Sequence, residues 1–388
     1  MKDLRQRLAE RKQQHRYRAR RISDSAQQVD MRIDGVDVTS FCSNDYLGFA
    51  NHPALKQAAI EGVKRYGVGS GAAHLINGHN RAHHQLEDEL AAFTGYPRAL
   101  LFSTGYMANL GLCQAWLDKS DAVFEDRLNH ASLIDAALLS GARFQRYRHN
   151  DAGSLQRKID ALKNPATGKL VLTDAVFSMD GDIADLPALS DVCRQSDSLL
   201  MIDDAHGFGV LGENGAGSRH HFGLDTQAIP VYMATLGKAL GSAGAFIAGS
   251  EELIETLIQQ ARTYIYTTAM PPAIAEATRA ALQLLQNEPQ HLRTLHQNIR
   301  YFRQCGEQAG LPIEQSETAI QPLMVGEDEA ALAISAQLLE AGFLVTAIRP
   351  PTVPEGTARL RITLSAAHTQ DQINRLIETL SGIWRQRS

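Results

Sequence analysis

Short apolar runs recur along the first three quarters of the chain, separated by stretches with helical spacing. Residues 170–176 (Leu-Val-Leu-Thr-Asp-Ala-Val), 199–202, 231–234 and 99–102 are four of them, and 121–125 is a fifth. Continuous runs of this length read as strands buried on both faces, and their alternation with helical stretches predicts a mostly parallel central sheet flanked by helices. Upstream, residues 30–42 alternate apolar and polar around Asp34-Gly35, the pattern of a hairpin. Met270-Pro271-Pro272 interrupts the series, and 273–310 is helix-rich. From about 318 the order strand, helix, strand, strand, helix predicts a small α+β domain whose last helix covers 369–386. The expected division is an arm of helix and hairpin over 1–45, a large domain over 46–280 and a small C-terminal domain over 281–388.

Composition narrows the function. The 388 residues are 44% hydrophobic and 21% charged, ordinary for a globular protein. A net charge of −5 disfavours nucleic acid as the main partner. Cys42, Cys113, Cys193 and Cys305 are far apart and form no C-x-x-C pair, so reduced thiols are expected rather than a disulfide frame or zinc site. No apolar run is long enough to span a membrane and no apolar signal core opens the chain, so the expectation is a cytoplasmic protein with no membrane partner. The first 21 residues are rich in arginine, and Leu4 and Leu8 fit a helix lying on the body of the protein.

The chemistry concentrates at strand ends. Asp203 closes an apolar run, His206 follows three residues on, and Lys238 sits on the Gly-flanked turn Gly237-Lys238 after the next run. An acid to keep a pyridine nitrogen protonated, an imidazole for a phenolic oxygen and an amine for covalent attachment are what pyridoxal 5'-phosphate requires. Ser178 also lies just past a run, and ligands of open α/β sheets bind outside the carboxyl ends of strands. Phe102-Ser103-Thr104-Gly105-Tyr106 leads a strand through a Gly turn into a helix, whose free N–H groups suit a phosphate. His130 stands at another strand end, where its ring can stack on a flat cofactor. The Gly67–Ala73 stretch lacks the features of a P-loop or dinucleotide fingerprint. His74, His79, His83 and His84 cluster without H-E-x-x-H or a paired carboxylate pattern, so no metal is expected.

Together these motifs, with Ser43-Asn44-Asp45-Tyr46-Leu47-Gly48, Val176-Phe177-Ser178-Met179-Asp180-Gly181-Asp182 and Ser365-Ala366-Ala367-His368-Thr369, resemble the α-oxoamine synthases. These are fold-type I pyridoxal phosphate enzymes that join an amino acid to an acyl-CoA. The resemblance implies that Lys238 carries the cofactor and moves the Cα proton, Asp203 pairs with the ring nitrogen, His206 bonds the phenolic oxygen, His130 stacks on the ring and Ser178 assists near it. It gives the phosphate to Gly105, Tyr106 and Thr235, with Thr267 or Thr268 reaching it from a second subunit of a homodimer whose active sites lie at the interface. Arg361, helped by Asn44, would hold the amino-acid carboxylate, with His130 close by; Thr352 and Arg18 would meet the acyl chain, Arg20 and Arg21 being alternatives one register slip away. Arg349-Pro350-Pro351 points to the member that condenses L-alanine with a pimeloyl thioester, carried by CoA or by a carrier protein. Leu236-Gly237-Lys238-Ala239-Leu240-Gly241 reads equally like the member that uses glycine and acetyl-CoA.

Overall fold

The computed structural model describes residues 3–162 and 166–387. The chain forms two compact units, one of Met1–Ala50, Met179–Gly181 and Arg293–Ser388, the other of Asn51–Ser178 and Asp182–Leu292.

The first unit begins with the helix Leu4–Gln13, N-capped by Asp3. None of its residues is buried, and Leu4 and Leu8 stay exposed, so the expected docking on the body of the protein does not occur within this chain. Two leucines amid arginines offer too narrow an apolar stripe. The hairpin forms as expected, with β1 (Asp30–Ile33) and β2 (Val36–Ser40) antiparallel. Its turn needs positive φ at both central positions, met by Asp34 (φ 50°) and Gly35 (φ 78°).

The second unit is built on a seven-stranded sheet. Its strands are β3 (Arg98–Phe102), β4 (Ala122–Asp126), β5 (Arg143–Tyr147), β6 (Lys169–Asp174), β7 (Leu199–Asp203), β8 (Val231–Thr235) and β9 (Ala245–Gly249). The order is β3-β9-β8-β7-β6-β4-β5, parallel from β8 through β5, with β9 antiparallel to both its neighbours. β4 and β9 are buried along their whole length, β6 and β7 but for the first residue. A core of Phe102, Leu112, Val123, Leu172, Met201, Met233 and Ile247 fills one face beneath the helix Gly105–Trp116. β6, β7 and β8 all end at one rim, with Asp174 paired to Asp203 and Asp203 to Met233 in register.

The rest of the first unit holds β10 (Ile320–Gly326), β11 (Phe343–Leu344), β12 (Thr346–Ile348) and β13 (Ala358–Thr363), with helices Asp328–Glu340 and Gln370–Arg385. β10, β13 and β12 form an antiparallel sheet, while β11 pairs in parallel with β2. The expected spans set residues 1–45 apart, whereas contacts join them to the C-terminal segment. The cause is the β2–β11 pairing together with Phe41, which stacks on His368 with ring centroids 4.1 Å apart and abuts Phe343. The four cysteines are free thiols. No helix among the described residues is long and apolar enough to cross a membrane.

Candidate active site

The rim where β6, β7 and β8 end gathers most of the expected residues of the second unit. Asp203, the last residue of β7, is buried; its Oδ1 accepts the Ala205 N–H at 3.1 Å and its Oδ2 accepts Asn109 Nδ2 at 2.8 Å. Asn109 also donates to Ser132 Oγ at 2.9 Å, which lies 2.7 Å from His130 Nδ1. A polar chain thus ties His130 to Asp203 through two residues to which the sequence assigned no role. Asn109 stands four residues after Gly105 on the same helix, one turn deeper on the same face, and that spacing was the available signal.

Asp174 was likewise unassigned. It closes the apolar run of β6 as Asp203 closes that of β7, so the same pattern marked it. Its Oδ2 accepts the His130 N–H at 2.8 Å and its own N–H goes to Asn129 Oδ1 at 3.0 Å. Burial, then the charge of Asp203, push its pKa well above the usual carboxylate range, which favours its neutral form. Asp204, next to Asp203, has a structural task. It accepts Tyr232 Oη, Ser218 Oγ and the Ser218 N–H, and burial raises its pKa to about 6 against those hydrogen bonds.

Lys238 lies on the loop between β8 and β9. The Leu236 N–H and Thr235 Oγ1 both bond the Gly244 carbonyl, at 2.9 and 3.0 Å, which closes the base of that loop. Lys238 Nζ sits 2.7 Å from Nε2 of the buried His206. Desolvation lowers the pKa of His130, with Lys238 acting in the same sense and Asp203 against it, so its imidazole is held neutral. Ser178 is carried by a narrow turn pinned by the Val176–Ile183 bridge and the Phe177 N–H to Asp182 carbonyl bond at 3.0 Å. At the start of the helix Gly105–Trp116, Thr104 caps the Met107 N–H, while those of Gly105 and Tyr106 have no intrahelical acceptor. Tyr106 Oη is hydrogen-bonded to Asp135. Thr268 bridges to Ala73 and is exposed, with Thr267 half-buried beside it.

The first unit carries the other expected group. Arg361, on β13 and buried, donates Nη2 to Asn44 Oδ1 at 3.1 Å, and Tyr46 Oη reaches the same oxygen at 3.2 Å. Arg18 Nη2 donates to Thr352 Oγ1 at 3.2 Å, so the arginine and threonine expected at an acyl chain are neighbours. Arg16 pairs with Glu355 at 2.8 Å, and Arg349 bonds the His15 carbonyl, fixing residues 15–18 along the 349–355 loop.

These donors suit pyridoxal phosphate. The buried carboxylate of Asp203 and the Lys238–His206 pair are gathered at one rim, and a helix start offers two N–H groups. A family model described as aminotransferase class I and II matches residues 36–380. The 8-amino-7-oxononanoate synthase of Thioalkalivibrio sulfidiphilus is 59% identical over 385 residues, 99% of this chain and 98% of its own. That of Nitrosococcus oceani is 58% identical, covering 96% and 98%. Among solved structures, a serine palmitoyltransferase from S. paucimobilis holding pyridoxal phosphate and myriocin matches with a TM-score of 0.93 at 28% identity over 99% of each chain. The 8-amino-7-oxononanoate synthase of Francisella tularensis matches at 0.78 and 33% identity, over 90% of this chain and 98% of that one.

Proposed function

The chain belongs to the class I and II aminotransferase family and, within it, to the 8-amino-7-oxononanoate synthases, and on that premise we propose roles for its site residues. The protein is a pyridoxal phosphate-dependent acyltransferase of biotin biosynthesis. It condenses L-alanine with a pimeloyl thioester to 8-amino-7-oxononanoate, carbon dioxide and the free thiol.

Pyridoxal phosphate, when bound, supplies a protonated ring into which the electrons of a broken Cα bond delocalise. Lys238 would hold the cofactor through Nζ, and its free amine would take the Cα proton of alanine. Asp203 holds the proton on the ring nitrogen, since a carboxylate beside it favours the charged form. Asn109 fixes the orientation of that carboxylate through its 2.8 Å bond. His206 bonds the phenolic oxygen and keeps Lys238 Nζ in reach. His130 packs its neutral ring against the cofactor face, and Ser178 assists near the phenolic oxygen and the substrate carbonyl. The N–H groups of Gly105 and Tyr106, with Thr235, take the phosphate. Arg361 offers its guanidinium fork to the alanine carboxylate, with one Nη steadied by Asn44. Thr352 and Arg18 take the acyl chain. As Cα bonds to the acyl carbon the C–S bond breaks and the thiolate departs; the carboxylate then leaves as carbon dioxide and Cα is reprotonated from Lys238.

The observation that carries this reading is the placement of Asp203 with Asn109, and of Lys238 with His206, past the carboxyl ends of adjacent strands. We assign the working form as a homodimer with active sites at the interface, where Thr267 or Thr268 of one copy meets the phosphate of the other. Support comes from Val68, Leu75, Ile76 and Tyr266, large side chains left exposed on segments joined by the Ala73–Thr268 bridge. The test is borohydride reduction of the loaded enzyme followed by peptide mapping. Cofactor fixed to the peptide of Lys238 is expected; attachment to another lysine overturns the assignment.

A further inference from the structure

Outside the catalytic rim, the second unit holds a dense cluster of imidazoles that the reaction does not use. The segment His74–Gly78 forms a wide π-helical turn before the helix Arg81–Thr94. Gly78 closes that turn where no side chain fits, since a Cβ there would lie 2.1 Å from the Ala72 carbonyl oxygen. The closure brings His79 over the first turns of the helix, where His84 and Glu87 share a face at i and i+3. His79 Nε2 lies 3.8 Å from Glu87 Oε2, and one ligand atom from each of His79, His84 and Glu87 falls within 4.8 Å of the others.

We propose that His79, His84 and Glu87 form a binding site for a divalent transition-metal ion of the zinc type, with His74 as the residue that orients His79. Two imidazoles and a carboxylate with an open position make up a recurrent zinc set. Tetrahedral coordination at about 2.0–2.1 Å requires donors roughly 3.4 Å apart, so the 3.8 Å pair is nearly in place. His84 closes the remaining gap by turning, and its side chain is 55% exposed and thus able to do so.

The surroundings favour these three over their neighbours. His79 Nδ1 is 3.0 Å from His74 Nδ1, so a proton on Nδ1 of His79 is accepted by His74 and Nε2 is left with its lone pair toward Glu87. His74 is in turn held by stacking on Tyr264, with ring centroids 4.9 Å apart and planes 13° from parallel. Glu87 is 11% exposed; its Oε1 accepts the Leu101 N–H at 3.0 Å and its Oε2 faces His79. His83 is excluded as a ligand because both ring nitrogens are engaged, Nδ1 with the Asn80 N–H at 3.2 Å and Nε2 with the Met270 carbonyl at 2.8 Å. A cavity of about 240 Å³ opens beside the cluster and leaves room for water or a further ligand, Asp88 among its walls.

Untagged, cofactor-loaded enzyme freed of metal by chelation and desalting is titrated with zinc chloride by calorimetry, and separately with cobalt chloride by visible absorbance. One ion per chain and cobalt bands of tetrahedral intensity are expected. His84→Ala, at an exposed position that leaves the fold untouched, and Glu87→Gln each weaken zinc binding at least about tenfold, the scale of losing one ligand or its support. His221→Ala leaves it unchanged. Absence of saturable binding by the native enzyme, or affinity unaltered by His84→Ala, overturns the proposal.

Discussion

Replacing Asp203 by Asn separates charge from shape at the candidate active site. The carboxylate is 5% exposed and accepts two hydrogen bonds, from Asn109 Nδ2 and the Ala205 N–H. An amide of the same outline keeps one acceptor and turns the other position into a donor. If that donor faces Asn109, the Asn109 side chain can turn, since its buried Oδ1 has no hydrogen-bond partner, at the expense of its bond to Ser132. The loss to folding is then about one neutral hydrogen bond, roughly 1 kcal/mol. Relief of the charge that raises the pKa of Asp174 offsets part of it. Catalysis suffers far more, because a neutral amide does not hold a proton on the ring nitrogen. Removing one preorganised electrostatic group typically costs about 3–4 kcal/mol, on the order of 10²–10³ in kcat. The assay is exchange of the alanine Cα proton in deuterium oxide, followed by proton magnetic resonance without thioester, with cofactor occupancy and melting temperature as controls. A variant that melts like the native protein, binds cofactor and exchanges at the native rate refutes the role of Asp203.

Three further outcomes are expected. Lys238→Ala retains cofactor without a covalent link and loses turnover, as absorbance and thiol release will show; turnover at the native rate removes Lys238 from its role. Arg361→Lys raises the KM for alanine by about 10–100-fold, the equivalent of a charged hydrogen bond and the lost fork, and an unchanged KM assigns the carboxylate elsewhere. His149 bridges Asp126 Oδ1 at 3.0 Å and Asp182 Oδ2 at 2.9 Å; burial alone would lower its pKa, but these two carboxylates raise it to about 10. Because that exceeds the unfolded value of about 6.5, its stabilisation is full below that pH and is lost as pH climbs toward 10. His149→Phe should therefore lower stability by about 2–3 kcal/mol near pH 6, and by less near pH 9.5. Urea unfolding at both pH values checks this, and a difference that does not shrink contradicts it.

The strand-end chemistry was legible because it is written locally: a run of apolar residues ends in Asp203, and Lys238 sits on the turn after the next run. Asn109 and Asp174 carry equally regular spacing, but their meaning depends on which strands and helices become neighbours, and periodicity does not encode that. The direction of β9 was also unread, although the connection 236–244 is too short for a parallel crossover. At the histidine cluster, His79 and His83 are four residues apart, the spacing of one helix face. The helix instead starts at Arg81, so His79 lies before it and meets Glu87. The N-terminal segment shows the opposite fault, two leucines at helical spacing forming a helix with nothing beneath it.

Thiol release from pimeloyl-CoA with L-alanine or glycine measures directly which amino acid the enzyme condenses. Release with alanine and little with glycine is predicted. Release with glycine and acetyl-CoA, and none with alanine and pimeloyl-CoA, contradicts it.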